Sequence, residues 1–473
     1  MATPLRTSDG SAPRISVLVY NTCANDVRVL KESATLRDAG ARVRIQAVAR
    51  TLTGHGPGLT QIGQNLDLER VPEFALDSLA PRLAPRIRSA LGIGAAAPST
   101  PAAPPDTAPA APASTGSANA PWSPPSTPRT QSHAARLAAA ARSGAAELAR
   151  RAWGPASLAS YWLRTARSAT AFAPDIIHAN DANTLVLAMW VSARTGAGIV
   201  YDSHELWRHR NVPAGRWLAP GADALIESVG IRAADAVITV SPSIATWLQQ
   251  KYRLRAKPHL VRNVPVSSHA PRREDGRLRE LAGLPADARV IAYGGGITTS
   301  RGIEETLAAL AHMAPDVHFV MLGYGERVYI DSVLERAREL GVAQRVHIVG
   351  PVLPHEVSRA LADGDVAVVH IRPTCLSYRY ALPNKLFEAI RAGLPVVAAD
   401  LPDLRDVVDV LGVGVVVDSE SPEALAAALD SVLEAGGTFR AAAVRAAEHL
   451  TWENESEQLL AAHREALDAK ENR

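Results

Sequence analysis

Short runs of β-branched and aliphatic residues alternate with helix-length segments along most of this chain, and this alternation constrains the fold more than any other feature. The run RISVLVY is followed by a helical pattern with apolar residues at Val27, Leu30 and Leu36, and a second apolar run covers 43–48. Such strand–helix–strand units build parallel sheets whose strands are buried. We therefore predict an α/β protein.

The alternation occurs in two series. The first contains the runs DIIHA, GIVYDSHE, AVITVS and PHLVRNV, and the second contains six runs, from RVIAYGGG to VGVVVD. The polar segment PVSSHAPRREDG between them is typical of a domain linker. We predict two doubly wound domains at 12–265 and 280–435, and a C-terminal helix over 436–473 that packs back toward the first domain. Ligands of open α/β sheets bind at the carboxyl ends of the strands, so two facing domains would form a binding cleft.

The first domain is interrupted by a segment of different composition. Residues 92–132 consist mainly of Ala, Pro, Ser and Thr without an apolar period, which predicts a disordered insertion. The next segment, 133–170, has helical propensity and is basic: ten arginines but only Asp106 and Glu147 as acidic residues occur between Arg82 and Arg167. This segment is either a helix lying on an anionic membrane near a lipid-linked acceptor, or a solvated helix edge with its aromatic residues turned into the domain.

Composition excludes several classes of protein. The net charge of +2 over 473 residues is too small to indicate nucleic-acid binding. The two cysteines, Cys23 and Cys375, form no metal-binding motif, and no run of 18 apolar residues occurs. The first residues lack the apolar core of a signal peptide. We therefore expect a cytoplasmic protein, or one held peripherally at the inner face of the cell membrane through 133–170.

The segment PNKLFEAIRAGLP predicts a helix whose first turn can bind an anion. Pro383 suits the first turn and Gly393 suits the C-terminal cap. Asn384 and Lys385 then lie where free N–H groups and the helix dipole attract anions, and Glu388 suits a pair of ribose hydroxyls one turn later. An amphipathic helix with a capping amide would explain the same residues.

A second helix start of this kind follows the strand of the segment YGGGITTSRGIEE. Gly295 and Gly296 allow the backbone to approach a ligand, and Arg301 can neutralise phosphate oxygens. The loop LGYGE adds Gly323 after another strand. Two such helix starts in one domain favour a ligand that contains phosphate.

Polar side chains also follow two strands of the first domain. His178 and Asp181 lie in HANDAN, and His204 and Glu205 lie in YDSHELW. Such residues at strand ends that face a cleft are candidates for a functional site. A single histidine after a strand is more often a structural hydrogen-bonding group.

These segments together resemble glycosyltransferase family 4, whose members are retaining sugar transferases of the GT-B fold. The resemblance covers nearly the whole chain except about 75–170. It implies two Rossmann-like domains that face each other across a cleft. It also implies a UDP- or GDP-linked sugar donor, a hydroxyl acceptor in cell-surface glycan or glycolipid synthesis, and no metal cofactor.

The resemblance assigns roles to individual residues. Glu388 resembles the second glutamate of the family's E-x7-E motif, which holds the nucleotide ribose. Arg301, Lys385 and the backbone at Leu386 are similar in place to the groups that face the donor diphosphate. His204 resembles the residue near the C6 hydroxyl of the transferred sugar.

Two departures from the family pattern concern the donor sugar. Tyr380 stands where the first glutamate of the motif is expected, and Gly295 and Gly296 stand where many members have an arginine. The PNKLFE form resembles a variant of the family, so we interpret Tyr380 as a substitution. The sequence DGD at 363–365 imitates a metal-binding DxD motif, but its place before a strand predicts a loop cap.

The predicted site therefore has three parts. Catalytic roles are predicted for His204, Arg301 and Lys385. Donor binding is predicted for Gly295, Gly296, Arg301, Gly323, Gly350, Asn384, Lys385, Leu386 and Glu388. The acceptor side is predicted at His178, Asp181 and Glu205. Two other functions remain open: a sugar-nucleotide epimerase or hydrolase of the same fold, and a catalytically weakened subunit that binds nucleotide sugars.

Overall fold

The computed structural model describes residues 4–74, 133–211, 219–266, 270–417 and 421–473, and it contains both predicted α/β domains. An eight-stranded sheet forms the first domain and a six-stranded sheet forms the second. None of the helices in these ranges is long and apolar enough to cross a bilayer. The insertion predicted at 92–132 lies outside the described residues.

The first sheet consists of β1 (Arg14–Leu18), β2 (Arg42–Val48), β3 (Gly58–Gly63), β4 (Leu66–Val71), β5 (Ile176–Asn180), β6 (Gly198–Ser203), β7 (Ala236–Thr239) and β8 (His259–Leu260). Its helices are α1 (Val27–Asp38), α2 (His133–Phe172), α3 (Ala182–Thr195), α4 (Ala219–Ala233) and α5 (Pro242–Tyr252). The strand order is β3-β4-β2-β1-β5-β6-β7-β8, and every pairing except β3 with β4 is parallel.

The second sheet consists of β9 (Arg289–Gly294), β10 (Val317–Leu322), β11 (Val346–Val349), β12 (Val366–Val369), β13 (Val396–Ala399) and β14 (Gly414–Val417). Its helices are α6 (Leu278–Ala282), α7 (Ile303–Leu310), α8 (Arg327–Glu339), α9 (Val357–Leu361), α10 (Leu376–Arg379), α11 (Asn384–Arg391), α12 (Pro402–Leu411) and α13 (Pro422–Ala447). The parallel order β11-β10-β9-β12-β13-β14 is that of a dinucleotide-binding fold and reverses between β9 and β12.

A hairpin at the edge of the first sheet was not predicted. Strands β3 and β4 pair antiparallel, and Asn65 makes the turn with a φ of 57°. Asparagine tolerates this left-handed conformation better than most residues. Five of the six β3 residues are exposed, so the strand lacks the apolar run by which the other strands were predicted.

The end of the second domain differs from the predicted boundary at 435. Helix α13 continues without a break to Ala447, through Gly436 and Gly437. The chain turns at 448–451 and then forms α14 (Trp452–Glu471), which packs on β5, β6, β7 and β8 of the first domain. The prediction that the C-terminal helix returns to the first domain agrees with this packing, whereas its predicted start at 436 is wrong.

The basic segment forms the long helix α2, as its propensity predicted. Tyr161 is buried and donates its hydroxyl to the Gln46 carbonyl at 2.9 Å, and Trp162 Nε1 donates to the Asn183 carbonyl at 2.8 Å. At least two of the segment's aromatic residues are therefore turned into the domain.

Candidate active site

The carboxyl ends of both sheets face a cleft of about 1950 Å³ between the two domains. Residues of α1, including Lys31, line it from the first domain, and Gly295, Lys385 and Glu388 line it from the second. In the second sheet these residues lie at or beside the β9/β12 position where the strand order reverses. That position is where open α/β sheets bind their ligands.

Lys385 is a cation removed from water at the start of α11. Its Nζ donates to the Tyr293 hydroxyl and lies 3.7 Å from the centre of the same ring. The Tyr293 hydroxyl donates in turn to the Gly296 carbonyl at 2.6 Å. Burial, and secondarily the positive charge of Arg301, hold the pKa of Lys385 well below its ordinary value. Such a lysine is set to gain charge when an anion arrives.

Arg301 lies close enough to share this site. Its guanidinium stands over the Tyr378 ring, 5.0 Å from the ring centre. Its charge acts on Lys385 in the second domain and also on Glu205 in the first domain. The two predicted phosphate-binding cations are therefore neighbours, and both lie at the junction of the domains.

Glu388 occupies the next turn of α11 and lines the cleft. Its carboxylate accepts a hydrogen bond from the Ser358 hydroxyl and interacts with the charge of Lys31 across the cleft. Burial raises the pKa of Glu388, and the Ser358 hydrogen bond and Lys31 oppose this rise only in part. The cleft therefore contains a carboxylate ready to accept hydrogen bonds.

Lys31 is held by partners from the segment after β8 and from α14. Its Nζ donates to Asn263 Oδ1 at 2.9 Å and lies 4.1 Å from the centre of the Trp452 ring. Burial, followed by the charge of Arg28, lowers the pKa of Lys31 to about 8. The sequence analysis missed Lys31, Ser358 and Tyr293, because their partners are distant in the chain.

The other predicted donor-binding positions divide into two groups. Asn384 is exposed in the cleft and Gly296 and Gly350 are exposed, so all three are accessible to a ligand. The Leu386 side chain is fully buried, so only its backbone can take part. Gly323 is buried, and a Cβ there would lie 2.0 Å from the Gly295 carbonyl oxygen. We therefore correct its assignment: Gly323 allows two backbone segments to pack.

His204 lies between two carboxylates of the first domain. Its Nε2 lies 3.0 Å from Asp202 Oδ2, and its Nδ1 lies 3.6 Å from Asp181 Oδ2. Burial alone would lower the pKa of His204, but Asp202 and Asp181 outweigh it and raise this pKa to about 9. The imidazole is therefore a cation at neutral pH, and 22% of the side chain remains exposed.

The predicted acceptor-side residues do not line the 1950 Å³ cleft, and neither do His204 and Arg301. Asp181 and Glu205 surround His204, and burial raises the pKa of both carboxyl groups. His178 is only 1% exposed and contacts His463 of α14. A side chain so enclosed cannot touch an acceptor, so the assignment of His178 to the acceptor side is wrong.

Tyr380, which replaces the first motif glutamate, lies in the contact between the domains. Its carbonyl accepts a hydrogen bond from Ser241 Oγ at 2.8 Å, and its ring packs against the core of the first domain. Nearby, Ser377 Oγ accepts from the backbone N–H of Leu206 at 3.2 Å. This segment holds the second domain close to the loop that contains His204.

The DGD sequence is structural, as its position predicted. Asp363 accepts hydrogen bonds from the backbone N–H groups of Leu278 and Arg279 at 2.9 and 3.1 Å, at the start of α6. Asp365 pairs with Arg273 and Arg279. Both carboxylates already have partners, so this loop shows no open metal site.

Solved structures of other proteins share this architecture. Sucrose-phosphate synthase from Thermosynechococcus elongatus matches with a TM-score of 0.67 at 16% identity, over 97% of this chain and 100% of that one. Anabaena HepE in complex with UDP and glucose matches with a TM-score of 0.61 at 15% identity, over 95% and 98%. The facing Rossmann-like domains thus define a molecule of the GT-B fold.

Two family models match the chain, and together they cover more than half of it. The model described as "Glycosyltransferase Family 4" matches residues 120–264, and the model described as "Glycosyl transferases group 1" matches 288–435. The chain belongs to glycosyltransferase family 4.

Curated relatives agree with this family. A D-inositol 3-phosphate glycosyltransferase of Corynebacterium diphtheriae is 27% identical over 60% of this chain and 69% of its own length. The protein with the same name from Xylanimonas cellulosilytica is 28% identical over 59% and 69%. The chain is therefore similar to transferases of sugars over both domains.

Proposed function

We propose that this glycosyltransferase moves a sugar from a UDP- or GDP-linked donor to a hydroxyl acceptor with retention of the anomeric configuration. The observation that supports this proposal best is that the charge of Arg301 acts on Lys385, which lies on α11 one turn before the carboxylate of Glu388. A diphosphate between two cations and a ribose on a carboxylate are the arrangement that a nucleotide-diphosphate sugar requires.

The donor would bind mainly to the second domain. The ribose hydroxyls would donate to Glu388, which has an acceptor oxygen besides the one bound to Ser358. The diphosphate would lie at the first turn of α11, whose free N–H groups attract anions. The base would extend past Glu388 toward the exposed backbone at Gly350.

Lys385 and Arg301 would act when the bond to the sugar breaks. Negative charge then develops on the leaving diphosphate, and fixed cations in a site with little water stabilise it strongly. Burial and Arg301 lower the pKa of Lys385, and the arriving diphosphate would favour the protonated form of this lysine. We infer that donor binding is coupled to proton uptake by this lysine.

The acceptor would enter from the side of His204. The acceptor oxygen forms the new bond to the anomeric carbon as the bond to the diphosphate oxygen breaks, and the acceptor proton passes to the departing diphosphate. The His204 imidazolium would donate from Nδ1 to a hydroxyl of the transferred sugar. Asp181 and Glu205 would accept hydrogen bonds from acceptor hydroxyls.

Acceptor identity requires a direct comparison. The relatives' name favours a phosphorylated cyclic polyol, whereas the basic helix α2 favours a lipid-linked acceptor in cell-surface glycan synthesis and a peripheral position on the membrane. We propose to test inositol phosphate and lipid-linked glycans as acceptors, and to measure binding to vesicles of anionic lipid. Thermal shifts with UDP- and GDP-sugars would identify the base, since a ligand stabilises in proportion to its affinity.

The decisive experiment compares variants in transfer assays with purified protein. Arg301→Ala should lower turnover by about 10²–10³-fold, because one charge-stabilising group is lost, and Glu388→Ala should raise the donor KM. Arg327→Ala is the matched control, since its side chain is 85% exposed. Full activity in both site variants would overturn the assignment. Release of an epimer would instead support an epimerase, and tight donor binding without turnover would support a binding subunit.

A further inference from the structure

A buried row of side chains leads from the C-terminal helix α14 to the candidate catalytic histidine. We call His463, His178, Asp202 and His204 the histidine row. His463 Nε2 lies 3.2 Å from His178 Nδ1, and the two rings are stacked with their centres 5.2 Å apart. His178 Nε2 lies 3.6 Å from Asp202 Oδ2, which is 3.0 Å from His204 Nε2. The row therefore leads from α14 to His204, and its one link that is not a hydrogen bond is the 3.6 Å contact between His178 and Asp202.

The contact between His463 and the Leu459 carbonyl oxygen determines which atom donates in the hydrogen bond between His463 and His178. His463 Nδ1 lies 2.7 Å from the Leu459 carbonyl oxygen, which can only accept, so Nδ1 carries a proton. His463 is fully buried, and burial together with His178 lowers its pKa to about 3. Its Nε2 is therefore an unprotonated acceptor, and His178 Nδ1 must donate to it.

The opposite side of the His178 ring then faces two carboxylates. His178 Nε2 lies 3.5 Å from Glu32 Oε2 and 3.6 Å from Asp202 Oδ2. A lone pair on Nε2 would face negative charge on both, so one proton must lie among these three groups. Burial raises the pKa of Glu32, which allows this carboxyl group to share the proton.

Asp202 is the point at which the row meets the active site. Its two oxygens accept from Arg28 Nε and Nη2 at 2.9–3.1 Å, and one of them also lies against His204. Glu32, His178 and Asp202 are close enough to surround a metal ion, but the Arg28 guanidinium already forms ion pairs with both carboxylates. The cluster is therefore a closed charge network.

We propose that His463 is a positioning residue for His204: by accepting from His178 it fixes the proton between His178 and the carboxylates, and so fixes Asp202 against His204. The helix that supplies it follows the donor-binding domain in the chain and packs into the first domain. His204 is therefore oriented correctly only when α14 is packed against the first domain. The expected effect on turnover rests on the proposed function, whereas the proton positions do not.

The first test measures which imidazole nitrogen atoms carry a proton in the unmodified protein. Imidazole ¹⁵N spectra of the full chain, assigned with single His→Gln variants among its 14 histidines, should show His463 neutral with its proton on Nδ1 from about pH 6 to 9. His178 should show a proton on Nδ1. The groups facing the row across this range are Arg28, Glu32, Asp181, Glu205 and His259. A proton on Nε2 of His463 would overturn the inference, whether or not the protein transfers sugar.

The second test is a double-mutant cycle on turnover. His463→Leu should lower kcat about tenfold, as expected for coupled residues in one network, with the donor KM within about twofold of the starting value. His463→Gln, whose amide oxygen can still accept from His178, should recover most of the loss. In a His204→Gln background, His463→Leu should cost little further.

The matched control weakens a different anchor of the same helix. Glu465→Gln removes the carboxylate charge from the contact with His259, where the two side chains are 2.7 Å apart and partly exposed. We expect its kcat to stay within about twofold of the starting value. Equal losses in His463→Leu and Glu465→Gln, or additive losses with His204→Gln, would show a merely structural role. If His463→Leu fails to fold, His463→Gln and the spectra still decide the question.

Discussion

The surroundings of individual side chains at this site shift their pKa away from the ordinary value. Lys385 donates to a tyrosine hydroxyl and not to a carboxylate, so within the described residues no anion compensates its burial directly. An ammonium in this position costs stability, and a bound diphosphate would remove the cost. Removal of this cost would contribute to the binding energy of a diphosphate.

Replacing Lys385 by methionine should separate activity from stability. We expect Lys385→Met to lower kcat by about 10²–10³-fold, while the melting temperature stays equal or rises because burial disfavours the charged form of the amine at this position. Tyr293 keeps its hydrogen bond to Gly296 in this variant. Turnover assays and calorimetry measure both quantities, with Lys251→Met as the surface control. A large loss of stability with unchanged kcat would contradict this account.

The stabilising effect of His204 should depend on pH in a defined window. Its pKa of about 9 lies above the ordinary 6.5, so protonated His204 stabilises the fold fully below about pH 6.5. The contribution is lost as the pH rises through 9. The difference in melting temperature between the wild type and His204→Gln should therefore be largest near about pH 6 and vanish near about pH 10. A difference that does not change with pH would argue against the ion pairs.

At the scale of secondary-structure elements, helix α13 contains two glycines that the fold does not require. No neighbouring atom lies within 4 Å of a Cβ placed at Gly436 or Gly437, and neither residue has a positive φ. Glycine in a helix interior costs roughly 0.5–1 kcal/mol relative to alanine. These two residues also explain why the sequence suggested a break at this point.

We expect Gly437→Ala to raise the free energy of unfolding by about 0.5–1 kcal/mol. Gly414→Ala is the opposite control, because its Cβ would lie 1.8 Å from the Val396 carbonyl oxygen in β13. Denaturant titrations of both variants test the pair. A destabilised Gly437→Ala would mean that the glycine pair has a role that its surroundings do not show.

Buried strands could be predicted from the sequence, whereas strands that face solvent could not. All six strands of the second sheet were predicted, because strands buried in a parallel sheet have short apolar runs. The β3–β4 hairpin was not predicted, since its outer strand faces solvent. PHLVRNV has the residues of a strand, yet only His259 and Leu260 pair.

At the scale of the whole molecule, only site residues that lie close together in the sequence could be predicted as a group. The start of α11 contains Asn384, Lys385 and Glu388 within five residues, so their common location could be inferred. The burial of His178 depends on His463, 285 residues away, and the Lys31–Trp452 contact also joins distant segments. No local pattern indicates such pairs.

The return of α14 to the first domain leads to a prediction about truncation. Leu459, Leu460, Ala466 and Leu467 are buried, and Trp452 Nε1 donates to Thr35 Oγ1 at 2.8 Å. Ending the chain at Thr451 would expose the apolar surface beneath this helix. We expect a fall of several degrees or more in the melting temperature, with aggregation on heating, as measured by calorimetry and light scattering. An unchanged melt would show that the helix is dispensable.

The same return path has a consequence for biosynthesis. The second domain lies before α14 in the chain, so it can complete its sheet while the ribosome still holds the final residues. The first domain, although made earlier, must wait for those residues before its surface is closed. Its exposed apolar face would be a substrate for chaperones during that interval, and this surface would close only after the second domain has been translated.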